Sequence, residues 1–81
     1  TLDPGERFKI HFTLGTLYTN LKDSEQALLH YEKIAYGSVL KFLPTNIIGM
    51  IYASLGELCL LQKNFRLALM NMEIAIAVEL L

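Results

Sequence analysis

The feature that most constrains this chain is a segment that occurs twice. LGTLYTNLKDSEQALLHYEKI, from Leu14 to Ile34, recurs about 41 residues later as LGELCLLQKNFRLALMNMEIA, from Leu55 to Ala75. That offset pairs Leu14 with Leu55, Gly15 with Gly56, Leu17 with Leu58 and Lys22 with Lys63. It also pairs Ala27 with Ala68, Leu28 with Leu69 and Glu32 with Glu73, and upstream Ile10 with Ile51. Self-similarity at a fixed period in this range marks stacked supersecondary units, none of which can bury its apolar face alone. Each copy reads as the end of one helix, a short polar turn and the start of a second helix. The expected fold is therefore all-α: two antiparallel helical hairpins, residues 1–43 and 44–81, stacked as a fragment of an α-solenoid.

Local signals place the helices. Asp3 caps the first, Pro4 suits its first position and Glu6 completes a capping box. Ile10, Leu14, Leu17 and Leu21 recur at helical spacing, and Phe8, His11, Phe12 and Tyr18 widen the stripe. Gly15 costs roughly 1 kcal/mol against Ala in a helix interior, and a close crossing opposite Ala27 is the expected compensation. Asn20 to Lys22 reads as the turn, and Asp23 with Gln26 as the next capping box. On the second helix, Ala27, Tyr31, Ile34, Ser38 and Phe42 form the expected inner face. Gln26, His30, Lys33, Gly37 and Lys41 form the wet one. Pro44 ends this helix at or before Leu43.

The third helix is expected from about Asn46 to Gln62 and the fourth from about Phe65, capped by Asn64. Both are apolar on nearly every side, as helices buried in a larger body are. A lipid span needs about 20 uninterrupted apolar residues, and Glu57 and Glu73 break these shorter runs. Neighbouring repeats, not lipid, are the expected cover.

The doubled segment resembles the tetratricopeptide repeat (TPR) family. The family's Leu-Gly pair, tyrosine, small residue, aromatic and second small residue fall on Leu14, Gly15, Tyr18, Ala27, Tyr31 and Ile34. In the second copy they fall on Leu55, Gly56, Cys59, Ala68, Met72 and Ala75. Ile34, Cys59 and Met72 depart from the pattern, and the period exceeds the usual 34 residues. The excess of about seven residues is close to two helical turns, which rotates a helix face by only about 20°. Tyr36 to Leu43, extending the second helix, is where it is expected.

The resemblance implies a non-catalytic module that binds a protein or peptide segment within a larger assembly. The alternative it leaves is a regulatory peptide-sensing domain attached to an enzyme or receptor. It also implies an inner groove lined by Lys9, Phe12, Thr16, Thr19 and Asn20, then by Met50, Ala53, Glu57, Leu60 and Leu61. Only Lys9 and Asn20 offer anything like a clamp for a terminal carboxylate, so an apolar helix or extended peptide suits this groove better. Packing on adjacent repeats is an equal reading of the same side chains.

Composition narrows the remaining classes. Of 81 residues 53% are hydrophobic and 19% charged, and the net charge of −1 supplies no field for nucleic acid. Cys59 is the single cysteine, so no internal disulfide forms, and a reducing intracellular setting, cytoplasmic or nuclear, is expected. His11 and His30 lack partners at zinc-ligand spacing. The scattered carboxylates form no evident acid–base pair. No enzyme activity, metal or cofactor is expected. The chain starts without Met and ends on IAIAVELL, and it reads as a segment of a longer solenoid, marginal or self-associating when isolated.

Overall fold

The computed structural model describes residues 3–81. The fold is all-α, with helices α1 (Pro4–Asn20), α2 (Ser24–Ala35), α3 (Thr45–Leu61) and α4 (Phe65–Glu79). A short 3₁₀ segment, Ser38–Phe42, joins α2 to α3. α1 packs on α2 and α3 on α4 as two hairpins, and α2 also packs on α3. The result is a slab of 36 × 32 × 16 Å.

The two hairpin turns are built alike. Lys22 N–H donates to the Thr19 carbonyl at 3.1 Å and Asp23 N–H to the Tyr18 carbonyl at 2.9 Å. One repeat later, Lys63 N–H donates to Leu60 and Asn64 N–H to Cys59, both at 2.9 Å. This Schellman pattern satisfies the last carbonyls of the outgoing helix and needs a left-handed residue at its corner. Lys22 has φ 65° and Lys63 φ 62°. The next residue then caps the incoming helix: Asp23 Oδ1 accepts from Gln26 N–H at 3.2 Å and Asn64 Oδ1 from Leu67 N–H at 3.4 Å. Asp3 does the same for α1, accepting from Glu6 N–H at 2.8 Å.

A lysine pays a steric penalty in the left-handed region that glycine does not. Lys22→Gly and Lys63→Gly should therefore each stabilise the fold by up to about 1 kcal/mol, net of the added freedom of the unfolded chain. Thermal melts of the two variants check this, and a fall in either midpoint contradicts it.

The core lies along α2 and α3. Ala27, Tyr31, Ile34 and Ala35 of α2 join Ile51, Leu55 and Leu58 of α3, with Val39 from the 3₁₀ segment. Phe8, Phe12 and Tyr18 of α1 close over this cluster. The inward side of α1 is therefore its aromatic one. Of the expected stripe Ile10, Leu14, Leu17 and Leu21, only Leu14 is half-buried and the other three are exposed. Rings reach deeper across the hairpin than branched aliphatics, and they take the inside.

The second helix stops earlier than its sequence suggests. Tyr36 N–H makes the last i−4 bond, to Glu32, and Gly37 N–H bonds only to Ile34. Gly37 is extended, at φ −96° and ψ 165°. A Cβ there would stand 2.5 Å from the Lys33 carbonyl oxygen, so only glycine lets the chain leave α2 in this direction. The added residues thus form a 3₁₀ connector, not two more α-helical turns. Ser38 and Phe42, expected on the inner face, are exposed.

Gly15 and Gly56 are close-approach positions, and the atoms nearest to them belong to Tyr31 and Met72. Built Cβ atoms would meet the Tyr31 ring at 3.0–3.1 Å and Met72 at 2.8–3.0 Å. Tyr31 and Met72 are themselves partners under the repeat offset.

Candidate functional site

The expected groove divides between two helices. Lys9, Thr16, Thr19 and Asn20 lie exposed on α1, and Met50, Glu57, Leu60 and Leu61 lie exposed on α3, with Ala53 half-buried. Leu60 is 53% and Leu61 67% exposed, an unusual outlay of leucine on a surface. Phe12 serves the core instead, tilted on Phe8 at 5.5 Å and edge-on to Tyr31 at 6.1 Å. Two threonines are also tied back to their own helix. Thr16 Oγ1 donates to the Phe12 carbonyl at 2.9 Å and Thr19 Oγ1 to Gly15 at 2.8 Å. None of these residues lines either of the two pockets described next.

The larger pocket, about 500 Å³, lies where the start of α1 meets the end of α2 and the 3₁₀ segment. Arg7, His11 and Lys33 supply its polar side, and Phe8, Ile34 and Val39 its apolar side. The sequence carries a signal for it: in an antiparallel hairpin the first turn of one helix neighbours the last turn of the next. Arg7 and His11, spaced i,i+4, thereby meet Lys33. The smaller pocket, about 300 Å³, has Glu25 and Glu32 on its rim and touches Cys59.

Beside the larger pocket stands a stack of three rings. Tyr18 lies parallel on His30 at 5.6 Å, and His30 stacks on His11 at 5.3 Å. The two imidazoles also face each other Nδ1 to Nδ1 at 3.1 Å, so one donates and the other accepts. His30, expected on the wet face, is thus drawn into the α1–α2 contact. Two imidazoles fall short of the three or four protein ligands that hold zinc, and no cluster of three ligating side chains occurs among the described residues.

Burial holds the His11 imidazole below its ordinary value, and the charges of Lys33, His30 and Arg7 push it further down. Acid should therefore weaken the fold. The unfolded chain takes up this proton first as pH falls, so the stability contributed by neutral His11 is complete above about pH 6.5. It is lost as pH drops from there through the lower folded-state value. The charged groups facing His11 are Arg7 from its own helix and His30 and Lys33 from α2. Urea midpoints should fall between pH 7 and pH 5 for the parent chain, and fall less for His11→Phe. Equal slopes would remove His11 from the account.

In the second hairpin the stacked pair Tyr18–His30 is replaced by Cys59–Asn71 at the same offset. Asn71 is buried, 3% exposed, and its Nδ2 donates to the Leu67 carbonyl at 3.1 Å and to Cys59 Sγ at 3.8 Å. Burial pushes the Cys59 thiol up, against the Asn71 hydrogen bond, which draws it down. A raised, enclosed thiol is a packing group and a poor nucleophile.

No helix of the described residues is long and apolar enough to cross a membrane. No protein-family model, curated protein or solved structure matches this chain.

Proposed function

We propose that the chain is a non-catalytic protein-interaction module, made of TPR-like hairpins that belong to a longer helical-repeat scaffold. Its partner is a protein or peptide segment of apolar character. The observation that carries this reading is the exposure of large apolar side chains on two flanks. Met50, Leu60 and Leu61 project from α3, and Phe65, Leu69, Met70 and Ile76 project from α4. Exposed apolar side chains in this number mark an interaction site. The α3 flank, with the exposed residues of α1, suits a bound segment, and the α4 flank suits a following repeat. The repeated turn chemistry, Lys22–Asp23 and Lys63–Asn64, supports a repeat architecture. The single free Cys59 suits a reducing intracellular compartment.

A photo-crosslinker at Leu60 in the full-length protein identifies what rests on the α3 flank. Leu60→Ser with Leu61→Ser is then titrated with that purified partner beside a thermal melt. Both side chains are exposed, so stability should change by no more than about 0.5 kcal/mol for each, while affinity falls at least tenfold. Unchanged affinity with an unchanged melt would sink the reading. A lowered melt with unchanged affinity would turn the flank into a packing surface.

A further inference from the structure

We propose that the pocket between the start of α1 and the end of α2 binds a small organic acid, a carboxylate carried on a compact apolar body. Its volume of about 500 Å³ is that of a small-molecule site. Its lining has two chemistries. Arg7 and Lys33 bring permanent positive charge, His11 brings an imidazole, and no carboxylate is among the lining residues. The half-buried Phe8 supplies the accessible apolar surface, with nearly buried Val39 beside it and fully enclosed Ile34 as the floor beneath. A guanidinium matches a carboxylate through two parallel hydrogen bonds, and the neighbouring ammonium adds a point charge. The apolar side has no use for an inorganic ion and calls for a hydrocarbon body. Burial is the main cause of the depressed His11 proton affinity, and Lys33, His30 and Arg7 lower it further. An anion seated between Arg7 and Lys33 offsets those charges, so its arrival raises the His11 titration midpoint. None of Lys9, Thr16, Thr19, Asn20, Met50, Leu60 and Leu61 lines this pocket, so this inference stands apart from that one.

The probe is 3-phenylpropionate, titrated into the intact chain and followed by the amide resonances of Arg7, Gly37 and Val39 and by the His11 ring protons. The expected result is saturable shifts confined to the pocket, with the His11 midpoint moved upward in the bound protein. Arg7→Gln combined with Lys33→Gln changes two exposed side chains and should lower affinity at least tenfold. Lys41→Gln, on the exposed lysine that sits over the Phe42 ring, should leave affinity unchanged. Four results overturn the proposal: shifts on the α3 and α4 flanks with none at the pocket, equal affinity for the double variant, equal affinity for the uncharged 3-phenylpropanol, or equal affinity for inorganic phosphate alone.

Discussion

Ile51→Ala should lower the unfolding free energy by about 2–5 kcal/mol, the usual cost of emptying a fully enclosed aliphatic site. At about 0.05–0.15 kcal/mol per residue, a chain of 81 residues has about 4–12 kcal/mol in all, so this one change removes a large share of it. Ile51 is 0% exposed and stands in the cluster that α2 and α3 share. It is therefore part of the contact joining one hairpin to the other. Its repeat partner Ile10 has the same side chain and the same place in the sequence pattern, but lies exposed on α1. Ile10→Ala should cost less than about 1 kcal/mol. Urea unfolding of both variants, read by far-ultraviolet circular dichroism and by tyrosine fluorescence, measures the difference. Coincident transitions would show the two hairpins melting as one unit. Similar losses for Ile10 and Ile51 would mean that the cluster is not the joint.

That contrast also explains what the sequence could and could not reveal. The doubled segment made the helices, turns and caps legible, because Asp23, Asn64 and the two Leu-Gly pairs act over a few residues each. Their physics is local, and local physics is written in spacing. Which apolar stripe turns inward is decided by the neighbour a helix meets. Ile10 and Ile51 are identical in pattern, yet α3 is flanked by both α2 and α4 while α1 packs chiefly on α2, and only Ile51 joins the buried cluster. The aromatic side of α1 won over Ile10, Leu17 and Leu21 for the same reason. Gly37 falls at the spacing of a wet helix face and, with Ser38, reads as a pair that loosens the helix, whereas its steric role against the Lys33 carbonyl ends it. The exposed members of the expected groove were legible as surface, Leu60 and Leu61 above all. Phe12 was not, since its ring is claimed by Phe8 and Tyr31. The basic pocket was missed because Arg7 and Lys33 are far apart in sequence, and only the hairpin brings them together.

The second large effect is expected at Gly15, and it separates three helix glycines that look alike in the sequence. Alanine is favoured over glycine in a helix interior by roughly 1 kcal/mol, so each Gly→Ala change starts with a gain. At Gly49 nothing opposes it: the nearest atoms to a built Cβ lie at 3.8–3.9 Å, ordinary contact distance. Gly49→Ala should stabilise by up to about 1 kcal/mol. At Gly56 the obstacle is Met72, closer than at Gly15 but flexible and half-buried, so it can swing aside. The gain and the cost then nearly cancel, within about 1 kcal/mol of zero. At Gly15 the obstacle is the Tyr31 ring at 3.0–3.1 Å, and that ring cannot yield. It is buried, set edge-on against Phe12, and its hydroxyl lies 3.2 Å from Thr16 Oγ1. Displacing it disturbs the core at its centre, and the net loss should be about 1–3 kcal/mol. Thermal melts of the three alanine variants rank them Gly49, Gly56, Gly15 from most to least stable. If Gly56→Ala proves the worst of the three, distance alone sets the cost and the rigidity of the neighbour does not. Adding Tyr31→Phe to Gly15→Ala tests the anchor directly. Freed from the Thr16 contact, the ring can retreat, and the double variant should lose less than the sum of the two single changes.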